Sequence, residues 1–245
     1  MISIFSFFNK KIVRNNYIDI DIDIHSHLLP GIDDGVKTLK ESIDIIREFK
    51  LLGYKKLITT PHIFYDLYPN TKEIIQEKLL IVKNELEKED IKIEIEASAE
   101  YYLDENFFDL IESDNLLPFK GNYILFETPC SSRLMMLDIT IEKIKERGYI
   151  PVMAHPERYN YLHGNNLEKY RELKRAGVLF QVNFKSLQSN SKTLRKIALD
   201  LIDNGLVDFI GSDVHRMHDI DILKKVLKSK DYKKIIRKNI LLNNV

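Results

Sequence analysis

Residues 23–35, DIHSHLLPGIDDG, combine a pair of histidines with an acidic turn at the end of a predicted strand. The apolar, β-branched run at residues 18–24 predicts that strand, and we expect it to be buried. In an extended chain residues i and i+2 point to the same side, so His25 and His27 can converge on one point. Imidazole is the commonest protein ligand of transition metals, and the turn can fold carboxylates back over the rings. The stretch therefore predicts a metal site, with a hydrogen-bonded pair of core histidines as the alternative.

The composition predicts one globular domain in a reducing compartment. The 245 residues are 44% hydrophobic and 30% charged, which provides for a large core, and barrels of about 200–250 residues routinely form one domain. The formal net charge is zero, so no strong field favours nucleic acid or a membrane surface. Cys130 is the only cysteine, which excludes an intrachain disulfide and favours the cytoplasm. No apolar run approaches the roughly 18 residues of a membrane span, so we expect no integral membrane segment.

The first 17 residues are expected to form an N-terminal arm outside the domain, which we place at residues 18–245. Its basic residues, Lys10, Lys11 and Arg14, follow the apolar part instead of preceding it, and this order argues against a secretory signal. We expect the arm to pack on the domain or on a second copy of the chain in a homo-oligomer. An interfacial anchor near the membrane is the alternative.

Strand and helix signals alternate about seven times, from the strand at residues 18–24 to one at residues 207–210. The first helix shows the pattern clearly: Thr38 and Glu41 predict a capping box, and Gly53 ends the helix. Repeated alternation argues for a parallel sheet, which is either open and doubly wound or closed into a barrel.

Candidate ligands stand at the ends of nearly all the predicted strands. In strand order they are His25 and His27, His62, Glu100, Glu127, His155, and Asp213 with His215. Only the sixth strand lacks one and offers Asn183 instead. In parallel α/β folds the active site gathers at the carboxyl ends of the strands. A random scatter of His, Asp and Glu would not favour those positions, and closure would bring all these groups into one pocket, so we favour a barrel.

Four segments together resemble the motifs of the polymerase-and-histidinol-phosphatase (PHP) superfamily. They are DIHSH at 23–27, TPH at 60–62, AHPERY at 154–159 and SDVH at 212–215. Further segments look more closely like the manganese-dependent protein-tyrosine phosphatases of bacterial capsule and exopolysaccharide loci. These are LPGIDDG at 29–35, AEYY at 99–102, FE at 126–127 and QVN at 181–183. The resemblance runs from about residue 19 to beyond residue 215, which is most of the chain.

The resemblance implies a single-domain α/β fold, a distorted (β/α)7 barrel of the PHP type, with three divalent metals at its rim. Position by position, one metal would be held by His25, His27, Glu100 and Asp213, a second by Glu100, Glu127 and His155, and a third by Asp34, His62 and His215. Asp33 would form the turn beside Asp34. Mixed imidazole and carboxylate ligands suit Mn²⁺, with Fe or Zn as alternatives. Metals about 3.5–4 Å apart lower the pKa of a shared water, which would attack the phosphorus.

Arg158 is the implied catalytic and substrate-binding cation, because a guanidinium matches phosphoryl oxygens bidentately. The alternative for Arg158 is an ion pair with Glu157. Arg216, with His218 close by, is a further candidate for substrate binding, and its alternative is a solvated rim charge. Five aromatic side chains are candidates to line a slot for a tyrosyl ring, with packing in the core or at the rim as the alternative. They are Phe64, Tyr65, Tyr68, Tyr101 and Tyr102.

The implied activity is a metal-dependent protein-tyrosine phosphatase that hydrolyses phosphotyrosine without a cysteine nucleophile. No C-x5-R phosphatase loop is present, since Met136 stands where the arginine after Cys130 would be. The implied substrate is a phosphotyrosine protein, the C-terminal tail of a bacterial tyrosine kinase that regulates capsule or exopolysaccharide synthesis. The kinase would bring this cytoplasmic protein near the inner face of the membrane.

Three other functions remain open at this point. The first is a PHP phosphatase for a small metabolite such as histidinol phosphate. The second is a nuclease or proofreading module of the same superfamily, although the neutral charge speaks against tracking of a phosphate backbone. The third is an inactive, metal-binding regulatory partner.

Overall fold

The structure, a computed structural model, describes residues 19–244, so the predicted arm at residues 1–17 lies outside it. The described residues contain nine short strands. They are β1 (Ile22–Asp23), β2 (Lys56–Thr59), β3 (His62–Ile63), β4 (Glu94–Ala97), β5 (Glu100–Tyr102), β6 (Tyr123–Glu127), β7 (Ile150–Ala154), β8 (Leu179–Asn183) and β9 (Phe209–Gly211). All the strand pairs are parallel.

Eight α-helices alternate with these strands over the same residues. They are α1 (Leu39–Leu52), α2 (Lys72–Lys88), α3 (Glu105–Glu112), α4 (Leu137–Glu146), α5 (Glu168–Arg175), α6 (Lys192–Asp203), α7 (Met217–Leu227) and α8 (Lys230–Lys238). Helix α1 begins with the predicted capping box of Thr38 and Glu41 and ends at Gly53, whose φ of 106° is left-handed. None of the helices in the described part of the chain is long and apolar enough to span a bilayer.

The nine strands occupy seven positions around the barrel, because two of the predicted strands are interrupted. β2 and β3 follow each other directly, as do β4 and β5, so the hydrogen-bonded ladders divide into β1-β2-β4 and β3-β5-β6-β7-β8-β9. Two backbone hydrogen bonds span the breaks, from Ser98 N to Thr59 O at 2.9 Å and from Glu100 N to Pro61 O at 3.1 Å. Pro61 has no N–H to give to a ladder, which favours a break there.

The barrel closes between its first and last strands, as predicted. Ser26 and Val214 form a parallel bridge just beyond β1 and β9. On either side, Asp213 N donates to His25 O at 2.7 Å and His27 N donates to Val214 O at 2.9 Å. We call this joint between the first and last strands the seam.

The first strand is shorter than the predicted 18–24, and a C-terminal clasp, residues 242–244, bonds to the backbone at its start. Only Ile22 and Asp23 pair with β2. The Asn243 side chain, which is buried, donates to the carbonyls of Ile22 at 3.1 Å and Ile210 at 2.8 Å and accepts from Ile210 N at 3.1 Å. Lys120 holds the clasp from the other side, donating to Leu242 O at 3.0 Å and Asn243 O at 2.6 Å. The clasp thus fills the lower end of the seam.

The side chains of the strands alternate between two cores. Leu125 and Val152 belong to a small buried cluster, whereas their neighbours Phe126 and Met153 belong to a large cluster that includes the buried faces of the helices. Since successive strand residues point to opposite faces, the small cluster is the interior of the barrel and the large one the layer beneath the helices. The interior is therefore packed, and the carboxyl-end rim is the part of it that carries polar groups.

Candidate metal centre

The structure brings all nine predicted ligand residues to the carboxyl-end rim. They fall into four overlapping groups whose ligand atoms lie within 4.8 Å of one another. The groups are His27, Asp34, His62 and His215; His25, Glu100 and His155; His25, His27 and Asp213; and His62, Glu100 and Glu127. Because neighbouring groups share members, the nine side chains form one contiguous cluster.

Two histidine nitrogens face each other at the centre of the cluster. Nε2 of His25 lies 3.3 Å from Nε2 of His27. Glu100 Oε2 lies 3.1 and 3.4 Å from these two atoms, and Asp213 Oδ1 lies 3.7 and 3.6 Å from them. Four donor atoms therefore surround one point, as expected for the first predicted ligand set.

The other two predicted sets are adjacent. Glu100 also reaches His155, with 2.8 Å between Oε1 and Nε2, and Glu127 Oε2 lies 3.8 Å from the same nitrogen. Asp34 Oδ1 lies 3.3 Å from Nε2 of His215 and 3.5 Å from Nε2 of His62. Glu100 therefore stands between the first two sets, in the position predicted for a bridging carboxylate.

Hydrogen bonds behind the rings orient the histidines. Nδ1 of His25 donates to Gln181 Oε1 at 2.7 Å, and Nδ1 of His27 donates to Asp33 Oδ2 at 2.8 Å. Nδ1 of His215 donates to the carbonyl of Asp213 at 3.0 Å. An imidazole that donates from Nδ1 has its lone pair on Nε2, so all three rings present that lone pair to the cluster.

Two buried amides link two of the ligands, His25 and Asp213. Gln181 Nε2 donates to Asn183 Oδ1 at 2.8 Å, and Asn183 Nδ2 donates to Asp213 Oδ2 at 2.6 Å. Because Gln181 also accepts from His25, β8 supports ligands although it supplies none of the nine. The sequence placed Asn183 at this strand end but did not assign a role to it or to Gln181.

The backbone is strained where two strands deliver their ligands. His155, after β7, has a φ of 32°, and Asp213, after β9, has a φ of 51°. Left-handed conformations are uncommon for residues other than glycine and concentrate at functional sites. At Gly211 there is no room for a side chain, because a Cβ there would lie 2.6 Å from Gln181 Nε2 and 2.7 Å from His25 Cβ.

The cluster has the electrostatics of a cation site. Burial alone would raise the pKa of Glu100, but the charges of His25 and His62 and the hydrogen bond from His155 hold it well below its usual range. Burial likewise disfavours protonation of His62, but Glu100 and Glu127 outweigh it and raise the pKa of His62 to about 9. Glu100 is therefore ionised, as a carboxylate that binds a metal must be.

Two buried atoms of the cluster also lack a well-aligned hydrogen bond within residues 19–244, Asp34 Oδ1 and His62 Nδ1. His62 Nδ1 lies 3.2 Å from Glu127 Oε1. Asp34 Oδ1 faces the lone pair on Nε2 of His215, and two lone pairs at 3.3 Å repel each other unless a proton or cation lies between them. The residues therefore fit divalent cations, and the absence of thiolate ligands suits Mn, Fe or Zn.

Arg158 lies at the edge of the cluster. Its NH2 donates to Asp213 Oδ2 at 2.7 Å, while 34% of its side chain remains exposed. The alternative partner, Glu157, is buried and accepts from Asn183 N at 3.0 Å and from Ser186 Oγ at 2.6 Å. The ion pair of Arg158 is therefore with Asp213, and the expected alternative with Glu157 is wrong.

Lys185 is a second cation at this edge, and the sequence analysis missed it. Its Nζ lies 3.4 Å from Asp213 Oδ2 and 3.8 Å from Asp219 Oδ2, and 20% of its side chain is exposed. Burial opposes ionisation of Asp213, but Arg158 and Lys185 hold its pKa well below the usual range. The only sequence signal for Lys185 is its position just after the end of β8.

The five candidate slot aromatics divide between the mouth and the core. Tyr101 is buried and its hydroxyl accepts from Leu117 N at 2.7 Å, so it belongs to the core. Tyr102 stacks on Phe64 with ring centroids 3.9 Å apart, and Tyr68 stacks on His62 at 5.6 Å. Tyr65 is exposed. Four of the five therefore lie near the rim, where Arg216 and His218 are also exposed.

The closed barrel and the ring of histidines and carboxylates at its rim define the PHP-type class that the sequence resembles. Within that class the chain belongs to the capsular polysaccharide synthesis family CpsB/CapC, whose family model matches residues 21–244.

Named relatives and a solved structure agree with this assignment. Tyrosine-protein phosphatase CpsB of Streptococcus agalactiae is 29% identical over 223 residues, 88% of this chain and 90% of that protein. Tyrosine-protein phosphatase YwqE of Bacillus subtilis is 31% identical over 198 residues, 80% of this chain and 78% of that protein. A crystal structure from work on YwqE of B. subtilis and CpsB of Streptococcus pneumoniae, described as unique metal-dependent tyrosine phosphatases, matches with a TM-score of 0.76. Its sequence is 27% identical, and the match covers 88% of this chain and 91% of that chain. The predicted fold is confirmed.

Proposed function

We propose that this chain is a metal-dependent protein-tyrosine phosphatase that acts in bacterial capsule or exopolysaccharide synthesis. The observation that carries the proposal is the convergence of nine histidine and carboxylate side chains on one rim, with Arg158 beside them. The family and the names of the relatives supply the substrate class, phosphotyrosine.

The nine side chains would act as three ligand sets for Mn²⁺, with Fe or Zn as alternatives. His25, His27, Glu100 and Asp213 form the first set, Glu100, Glu127 and His155 the second, and Asp34, His62 and His215 the third. Short distances within each set are compatible with this division. His27 also lies close to the third set, and His62 also lies close to Glu100 and Glu127. Bound divalent cations supply Lewis acidity to the phosphoryl group and lower the pKa of water in the site.

The protein's own cations would hold the substrate. Arg158 uses one nitrogen for Asp213, so its remaining N–H groups are available to phosphoryl oxygens. Lys185 lies near the same carboxylate oxygen and adds a second positive charge. Phe64, Tyr68 and Tyr102 at the mouth would contact the tyrosyl ring, because aromatic rings favour stacked or edge-to-face contacts.

The substrate would be the phosphorylated tail of a bacterial tyrosine kinase, which would bring this protein to the inner face of the membrane. The capsule-synthesis family supports that setting.

The test is phosphate release from a phosphotyrosyl peptide by the purified full-length chain with Mn²⁺, before and after addition of a chelator. We expect release that the chelator abolishes and that excess Mn²⁺ restores. Histidinol phosphate, assayed in parallel, represents the alternative of a small-metabolite phosphatase. Release without metal dependence, or a clear preference for histidinol phosphate, would contradict the proposal.

A further inference from the structure

A groove of about 720 Å³ lies directly beside the metal centre, between α1 and the start of α7. Asp34 and His215 line both the groove and the centre, so the two are continuous. Val36, Ile45 and Met217 line the groove with apolar side chains, and of these three Met217 is the exposed one. We call it the flanking groove, and its size is that of a site for one or two amino-acid side chains.

The acidic side chains that line the flanking groove on the α1 side are already paired. Glu41 accepts two backbone N–H groups at the start of α1, at 2.8 and 3.2 Å. Asp44 pairs with Lys40 at 2.5 Å and with Arg47 at 3.1 Å. Their charge is therefore largely compensated within the protein.

The basic side chains on the opposite side of the groove lack such partners. Arg216 and His218 line the groove, and both are exposed. Within the described part of the chain, neither the guanidinium of Arg216 nor the ring of His218 forms an ion pair with a carboxylate. The flanking groove thus has donors available for an acceptor that the protein does not itself provide.

We propose that the flanking groove binds the part of the substrate next to the phosphotyrosine and selects an acidic residue there through Arg216 and His218. This inference rests on the proposed phosphatase function. With the phosphoryl group at the centre, the neighbouring substrate residues must cross the rim. The flanking groove begins at Asp34 and His215, so substrate residues that leave the centre on that side would enter it.

The chemistry of the groove favours a Glu or Asp of the substrate over an apolar or basic residue. The methylene groups of that substrate residue would pack on Met217, which is exposed. Its carboxylate would meet the guanidinium of Arg216, which matches a carboxylate bidentately. A lysine at the same place would face Arg216 and meet no unpaired acid of α1.

The experiment compares two phosphotyrosyl peptides that differ only at the residues on either side of the tyrosine, Glu in one and Lys in the other. With Mn²⁺, we expect the wild-type chain to have a roughly fivefold higher kcat/KM for the acidic peptide, as one or two exposed ion pairs would give. High salt should reduce that ratio. Arg216→Gln should bring the ratio close to one, and Arg216→Glu should favour the basic peptide. Lys225→Glu makes the same charge reversal farther along α7, outside the groove, and should keep the wild-type ratio.

A wild-type chain that hydrolyses both peptides equally, or an Arg216→Glu variant that is folded and keeps the acidic preference, would overturn the inference while leaving the phosphatase function in place. A wild-type chain without chelator-sensitive hydrolysis of either peptide would overturn the proposed function, and this inference with it. Thermal melts of the variants establish that each is folded before its ratio is interpreted.

Discussion

Asp33 and His27 are joined by a hydrogen bond of 2.8 Å between Oδ2 and Nδ1, and both side chains are buried. Asp33 also accepts from Gly35 N at 2.9 Å and from His62 N at 3.2 Å. The sequence predicted Asp33 as a turn former, and the bond to Gly35 confirms that part. The bond to His27 adds a second role, because it fixes which ring nitrogen faces the centre.

Asp33→Asn should weaken metal binding without removing any of the nine predicted ligands. An amide is a poorer acceptor for the Nδ1–H of His27 than a carboxylate, so the ring would be less basic and less well oriented. We therefore expect the Mn²⁺ concentration that gives half-maximal activity to rise about 10–100-fold. The measurement is a Mn²⁺ titration of activity in the chelator-treated protein. Asp66→Asn, in an exposed loop, is the matched control. An unchanged Mn²⁺ dependence of Asp33→Asn would show that the bond to His27 has no effect on the metal.

His27→Ala should abolish turnover and change the thermal melting temperature only modestly. His27 Nε2 lies near both Glu100 and Asp213, so its loss removes one of the four donors around the central point. The prediction compares His27→Ala with the wild type at equal metal content. Activity and metal content are therefore measured on the same samples. Turnover that persists at equal metal content would refute the ligand role of His27.

Lys185→Met should weaken binding of phosphate more than binding of metal. If Lys185 contacts the phosphoryl group, we expect the inhibition constant for inorganic phosphate and the KM for a phosphotyrosyl peptide to rise by about tenfold, the value of one charge-assisted hydrogen bond. The Mn²⁺ dependence should stay close to that of the wild type. Lys192→Met, at the exposed start of α6, is the control. Loss of Mn²⁺ affinity with unchanged phosphate inhibition would instead make Lys185 a counter-ion that positions Asp213.

The stabilisation that Mn²⁺ gives should grow as the pH rises from 6.5 to 8.5. The pKa of His62 in the metal-free fold is about 9, above the value of about 6.5 in an unfolded chain. Its protonation therefore stabilises the metal-free fold fully below pH 6.5, and this contribution is lost as the pH rises toward 9. Metal must displace such protons, so its binding tightens over the same range. Melting temperatures with and without Mn²⁺ across this range measure the difference, and a pH-independent difference would contradict the prediction.

Asn243→Ala should destabilise the whole barrel. The side chain makes three hydrogen bonds to Ile22 and Ile210 in a buried position, and its removal leaves their backbone groups unpaired. We expect a loss of about 1–3 kcal/mol in the free energy of unfolding, measured by urea denaturation. Asn190→Ala, an exposed loop position, should have a small effect. Equal urea midpoints for Asn243→Ala and Asn190→Ala would show that the clasp does not stabilise the seam.

The rim could be predicted from the sequence because a parallel α/β chain places all its strand ends on one side. Glu127 illustrates this, because it is the last residue of β6. Glu100 follows the break after β4, where the sequence placed a strand end, and it begins β5, which pairs with β6. The different positions of the two aspartates in the acidic turn could also be predicted. The structure puts Asp34 beside His62 and His215, and Asp33 behind His27. That Asp34 binds a metal stays a prediction.

Features that depend on long-range contacts could not be predicted. Lys185 carries no motif, and its position beside Asp213 depends on the path of the chain after β8. The contacts at the start of the first strand come from Asn243 and Asn244, at the far end of the sequence. Tyr101 and Tyr102 are adjacent in the sequence, and only the register of β5 determines that one enters the core and the other the mouth.

The seam gives the metal centre a mechanical role as well as a chemical one. His25 and His27 follow the first strand, and Asp213 follows the last, so a cation held by these three side chains would cross-link the two ends of the domain. Loss of that cross-link should therefore be detected first as faster amide hydrogen exchange at Asp213 and His27, whose N–H groups bridge the joint. A cell that starves the protein of metal would in this way weaken the barrel at the same place where it stops the reaction.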